Sequence, residues 1–247
     1  MLRRRVITVL AFHDGVLTRT KAFEPDTRYT HNLVDLWSID EIVALDVTRP
    51  GSGERGNFLA VVRALAARCF VPLAAGGGVR SMSDAETLLG AGADKVVVNT
   101  AALDRPSFIG ELARAYGAQA VVVAIDARRA GEGYEVCAAF ASRPTGWYPE
   151  AWAARAQAEG AGEILITSVE RDGSLAGYDL ELCRRVADAV SVPVLIAGGA
   201  GNWQHFVEGI TKGGADAVCT ANVYHFTEAS IQSAKAHLAR AGIAVRA

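Results

Sequence analysis

Short apolar runs recur along the whole chain, each followed by a polar or glycine-rich turn. They are VITVLA (6–11), EIVALDV (41–47), VPLAAG (71–76), KVVVNT (95–100), AVVVAIDA (120–127), EILITS (163–168), VPVLIAG (192–198) and AVCTAN (217–222). The apolar residues are contiguous rather than alternating. That suits strands covered on both faces, as in a parallel sheet. Segments with helical spacing lie between most of the runs, among them NFLAVVRALAAR (57–68), SDAETLLGAG (83–92) and ELARAYGA (111–118). Ser83, with Glu86 three residues on, predicts a capped helix start. The only long departure, RRAGEGYEVCAAFASRPTG (128–146), predicts a β-hairpin after the fifth run, turning at GEG. Eight βα units in 247 residues predict a single closed (β/α)8 TIM barrel. A doubly wound open sheet is the second choice.

The pattern also repeats. VPLAAGGGVRSMSDAETLLGAGADKVVVNTA matches VPVLIAGGAGNWQHFVEGITKGGADAVCTAN at an offset of 121 residues at Pro72/Pro193 and 122 at Asp94/Asp216. Glu41–Ile42 and Glu163–Ile164 share the spacing of 122, and VITVLA pairs with VVVAID at 115. Two half-barrels follow, about 1–118 and 119–247. Ala11 and Asp126 become counterparts, so one half carries a carboxylate where the other carries a methyl group.

Composition narrows the partners. Apolar residues make up 51% of the chain and charged ones 21%, enough for a large core. A net charge of −2 offers no field for nucleic acid or an anionic membrane, so phosphate recognition has to be local. MLRRRVITVLAF reads as a strand rather than a signal peptide, and no run is long enough to span a bilayer. Cys69, Cys137, Cys183 and Cys219 show no CxxC spacing, which fits reduced thiols in the cytoplasm.

In a (β/α)8 barrel the chemistry sits where strands end and loops begin. Asp46, Asn99–Thr100, Asp126, Thr167–Ser168 and Asn222 occupy such places, while Ala11 and Ala197 leave two ends apolar. Gly77–Gly78 and Gly198–Gly199 are candidate phosphate loops, because glycine turns let backbone N–H groups approach an anion. Each is followed one strand later by a polar end, Thr100 or Asn222. Two sites on one mouth suit a substrate with a phosphate at each end. Asp126 is the candidate general acid or base, with its pKa raised by desolvation. Asp46 and Asp172 are expected to organise loops or substrate hydroxyls, and His13 to be a solvated loop residue. The histidines show no metal-ligand spacing.

Together, GGGVRS, GADKVVVNTAA, VVVAIDARR, GAGEILITSVERDGSLAGYD, GGAGNWQHFVE and VYHF resemble the cyclase subunit of imidazole glycerol phosphate synthase, of histidine biosynthesis, over nearly the whole chain. The resemblance implies a barrel paired with a glutaminase subunit as a heterodimer. It implies ammonia passing through the barrel core to a substrate with two phosphates, and lyase and cyclase chemistry with no cofactor or metal. In that family two aspartates act as acid and base. Asp126 stands at one of those places and Ala11 at the other. Arg19 stands where a lysine is usual and Ala197 where a serine is usual, and FEPDTRYTHNLVDLWSIDEI is shorter than its counterpart. Arg19, Asp46, Asn99, Thr167, Asp172, Gly173, Ala221 and Asn222 fall on the substrate side. Arg5, Glu41, Lys95 and Glu163 match a ring of charges that gates ammonia at the barrel bottom, and Asp94 matches a residue facing the glutaminase.

Three functions fit these residues. One is an ammonia-using synthase subunit diverged toward another acceptor, as in relatives that amidinate surface sugars and lack the strand-one aspartate. Another is a working histidine-pathway cyclase, with water or His13 replacing the lost acid. The third is a non-catalytic scaffold for a phosphorylated ligand and a protein partner.

Overall fold

The computed structural model describes residues 3–28, 39–51, 55–221 and 231–246. Eight parallel strands close into a barrel: β1 (Arg5–His13), β2 (Glu41–Asp46), β3 (Leu73–Gly76), β4 (Lys95–Val98), β5 (Val121–Ala130), β6 (Glu163–Ser168), β7 (Val194–Ala197) and β8 (Ala217–Thr220). Each pairs with its neighbours in chain order, and β8 returns to β1. The helices are α1 (Arg55–Ala66), α2 (Met82–Gly90), α3 (Thr100–Asp104), α4 (Ser107–Tyr116), α5 (Pro149–Glu159), α6 (Leu180–Ala189), α7 (Trp203–Thr211) and α8 (Ile231–Arg240). The open-sheet alternative is excluded by the closing pair β8–β1.

Strand alternation divides the apolar residues into two cores. On β1, Val6, Leu10 and Phe12 point outward into the layer between strands and helices. Ile7 and Val9 point inward and join Val43, Val97, Val122 and Leu165 on the barrel axis. The runs look uniformly apolar because both faces of each strand are buried.

The register reproduces the internal repeat. Thr8 pairs with Ile42 in one half and Val123 with Ile164 in the other; Ala11 pairs with Leu45 and Asp126 with Thr167. Strand starts are tied in the same way. The Leu73 amide donates to Asp94 Oδ2 at 2.8 Å, and the Val194 amide to Asp216 Oδ2 at 3.1 Å.

Two expectations are corrected. The start of α2 is capped by Ser81 and Asp84, not by Ser83 and Glu86. The Ser81 hydroxyl accepts from the Asp84 amide at 3.2 Å, and the Asp84 carboxylate accepts from the Ser81 amide at 3.0 Å. Asp84 is short enough to reach back and close the box two residues earlier. The hairpin after β5 exists, with a strand Gly133–Ala138 antiparallel to β5 and a short one at Arg143–Pro144. It is not the only excursion. A second one follows β1, with Val16–Lys21 antiparallel to β1 and Glu24–Arg28 beside it. VLTRTK lacks a long apolar run, so it carries little strand signal; its pairing follows from Asp14–Gly15, both at positive φ, which turn the chain back. The shortened segment (23–42) begins within this excursion, and its residues 29–38 lie outside the described ones.

Candidate active site

The C-terminal strand ends open into a cavity. Its floor and walls include Val9, Ala11, Leu45, Ala124, Leu165, Ala197 and Cys219. Its polar edge is formed by Thr18, Thr20, Asp126, Thr167 and Asp172, and its rim by Phe23, Phe140, Leu175 and Gly198–Ala200. At the strand ends themselves β1 presents Ala11 where β5 and β6 present Asp126 and Thr167; on the β1 side the polar groups are Thr18 and Thr20, from the strand that pairs with β1.

Asp126 ends the barrel portion of β5, before the strand runs out into the hairpin. Its Oδ2 accepts from Asn99 Nδ2 at 2.7 Å. Burial pushes the carboxyl up to about 7, against the Asn99 hydrogen bond and aided by the charge of Asp172. The group is therefore poised between acid and carboxylate near neutral pH, as the desolvated strand end predicts. Asn99 Oδ1 is buried and has no partner among the described residues. Asp172 lies on the loop after β6. Burial also raises its pKa, opposed by hydrogen bonds from the Phe23 amide and the Thr20 hydroxyl and by the charge of Arg19.

The other candidate residues separate into those on the cavity and those that shape loops. Thr167, Gly173, Gly198, Gly199 and Ala221 line it with Asp126 and Asp172. Arg19 does not line it; its guanidinium donates to the Gly173 carbonyl at 3.0 Å and holds that loop. Asp46 is buried and accepts from the Thr48 amide at 3.0 Å, so it organises its own turn. Gly77 and Gly78 have φ of +96° and +62°, yet neither they nor Thr100 line the cavity. A Cβ on Gly77 would sit 2.1 Å from the Asp46 carbonyl oxygen. Thr100 accepts from the Ala139 amide at 3.0 Å and so steadies the hairpin after β5. Gly199, at φ +101°, could not carry a Cβ either, since it would lie 2.2 Å from the Gly177 carbonyl oxygen. Asn222 falls outside the described residues.

Sequence reasoning missed Thr18, Thr20, Phe23, Phe140 and Leu175. A faint signal existed in the Ala–Phe pairs at 22–23 and 139–140. Both phenylalanines sit at excursion tips with φ of +66° and +58°, a region where bulky residues are rare outside functional loops. Arg49 links the tips, with its guanidinium 5.1 Å from the Phe140 ring centroid and donating to the Phe23 carbonyl at 3.3 Å.

At the opposite end of the axis, four charges close a ring. Arg5 reaches Glu41 at 2.6 Å and Glu163 at 2.8 Å; Lys95 reaches both glutamates at 2.7 Å. Each charge thus has two opposite neighbours, which is how a buried ring can persist. Between this ring and the cavity the axis is lined by small and apolar side chains, Ala74, Ala217 and Cys219 among them. Asp94 is exposed beside Lys95. The four cysteines are free, and no cluster of metal-ligating side chains occurs among the described residues. Among those residues, no helix is long and apolar enough to cross a membrane.

A closed parallel barrel with a buried carboxyl at its C-terminal mouth defines a (β/α)8 enzyme-type site. Residues 7–230 match the family described as "Histidine biosynthesis protein", and the chain belongs to that family.

Proposed function

We propose that this protein is a cyclase-like synthase subunit that adds ammonia, delivered by a glutaminase partner, to a phosphorylated acceptor, and that its acceptor differs from the histidine-pathway substrate. The observation that carries the reading is the axis of the barrel. A closed ring of four charges stands at one end, a narrow apolar lining follows, and a carboxyl poised near neutral pH stands at the other. Divergence is supported by the methyl groups of Ala11 and Ala197 on the cavity wall, where the resembled cyclase has a carboxylate and a hydroxyl. Glutaminase docking belongs on the strand-start face around Asp94 and the ring, and phosphate belongs on Gly198–Gly199, the loop that borders the cavity.

The test is turnover of the histidine-pathway substrate with an ammonium salt. The unmodified protein should turn it over very poorly, and Ala11→Asp should raise the rate. Family-level activity without any gain from Ala11→Asp would overturn the divergence and favour a working cyclase of histidine biosynthesis.

A further inference from the structure

Among the described residues, two carboxyl groups line the mouth. Asp126 enters it from β5 and Asp172 from the loop after β6, and both line the same cavity. β5 and β6 are adjacent, paired at Asp126 and Thr167. Asp172 is held in place by the excursion that continues from Ala11. Its Oδ2 accepts from the Phe23 amide at 3.0 Å, and its carbonyl accepts from the Ala22 amide at 3.2 Å. Arg19 clamps the next residue through the Gly173 carbonyl. His13, two residues beyond Ala11 at the end of β1, is not among the cavity-lining residues.

We propose that Asp172 is the second acid–base residue of this mouth, serving in place of the carboxylate absent at position 11 and forming a proton-transfer pair with Asp126. This rests on reading the mouth as the acceptor site for ammonia. With a carbonyl acceptor the proton balance closes. Ammonia attacks the carbonyl carbon, protonated Asp126 gives its proton to the oxygen, and the Asp172 carboxylate takes one from the nitrogen. The product is a carbinolamine. Asp172 then protonates the hydroxyl, which leaves as water, while Asp126 takes a proton from nitrogen. An imine and one water result, and both carboxyls return to their starting states.

The roles follow from the surroundings. Asp126 is desolvated and faces a negative neighbour, which favours its acid form. Burial raises the Asp172 pKa as well, but the Phe23 amide, the Thr20 hydroxyl and the field of Arg19 oppose it, whereas Asp126 has only the Asn99 hydrogen bond against burial, so Asp172 is the better placed of the two to hold the carboxylate. Other ionisable groups on the packed elements include Lys21 beside Gly173, Arg49 at the Phe23 carbonyl and its partner Glu24, Arg128 and Arg129 on β5 with Glu135 opposite, Glu170 and Arg171 just before Asp172, and the Cys137 thiol opposite Asp126. The carboxylate at position 172, four residues beyond the end of β6, puts the proton acceptor on the β6 side of the mouth. That displacement suits an acceptor whose reacting carbon lies nearer β6 than β1.

The experiment titrates aspartate carboxyls by carbon-13 NMR in the full chain and in Asp126→Asn and Asp172→Asn. An asparagine at 172 still accepts from the Phe23 amide, so the loop stays docked. The Asp126 midpoint should fall by at least half a pH unit in Asp172→Asn. Turnover of the histidine-pathway substrate with ammonium, however slow, should fall about 100-fold or more in Asp172→Asn. Ala11→Asp combined with Asp172→Asn should restore it, because a carboxylate is again available. An unmoved Asp126 midpoint overturns the pair, and so does an Asp172→Asn rate within twofold of the parent. The titration requires no acceptor. It therefore tests the pair separately from the reading of the mouth as the acceptor site for ammonia: an unmoved midpoint overturns the pair whatever the turnover, and a moved midpoint upholds it even where that reading fails.

Discussion

Lys95→Met is the sharpest test of the charge ring. Lys95 Nζ lies 2.7 Å from both Glu41 and Glu163, and its side chain is 15% exposed. Methionine keeps the length of the stem and removes the charge. The ring then holds one cation and two carboxylates, with Glu41 only 1% exposed. Removing one partner of a buried pair costs about 3–5 kcal/mol. Arg5 still contacts both glutamates, which softens the loss, so about 2–4 kcal/mol is expected. For a chain of this size that lowers Tm by roughly 5–15 °C. Urea unfolding at pH 7 measures it directly. Adding Glu163→Gln leaves the Arg5–Glu41 pair balanced, so the double variant should recover at least about 1 kcal/mol relative to additivity. A cost for Lys95→Met below about 1 kcal/mol, or strict additivity in the double variant, would refute the reasoning that the ring is one coupled unit.

Asp126 should impose a pH dependence on stability. Its folded pKa of about 7 lies above the unfolded value of about 3.9, so its full contribution is present below about pH 4 and is lost as pH rises to 7. Asp126→Asn should match the parent at pH 4 and be about 4 kcal/mol more stable at pH 8 in denaturant titrations, while losing activity. Gly199→Ala places a Cβ 2.2 Å from the Gly177 carbonyl oxygen, so it should destabilise by about 1–3 kcal/mol. Inorganic phosphate should then protect it from thermal unfolding less than it protects the parent. With a glutaminase partner present, Glu41→Ala should uncouple glutamine hydrolysis from product formation, read as glutamate released per product formed.

Much of the barrel was legible because both faces of every barrel strand are buried, so eight contiguous apolar runs stood out. The repeat offsets translated into observed register at Ala11 and Asp126, because half-barrels that superimpose must pair alike. The first excursion was not legible. VLTRTK pairs through its backbone and carries polar residues on the cavity edge, so hydrophobic patterning is silent there. The neighbourhood of Asp172 was hidden for a related reason. Its place in the mouth is set by amides of Ala22 and Phe23, 149 residues away in the case of Phe23, and backbone donors leave no mark in side-chain identity. Phe140 left only the faint Ala–Phe repeat, since its left-handed backbone is a property of the folded tip rather than of its residue type.

The half-barrel register has a consequence for stereochemistry. A scaffold built from two matching halves offers an elongated ligand two ways to lie across its mouth, end for end. Position 11 carries a methyl group and position 126 a carboxyl, and these are the paired places that a half-turn would exchange. The cavity edge compounds the difference, since Gly198–Gly199 border it while Gly77–Gly78 do not. The two poses are therefore unequal in energy, and only one brings a given ligand atom to Asp126. A carboxyl in one half and a methyl group in the other make a nearly symmetric cup a handed one, which selects between the two ends of a molecule before any bond is made.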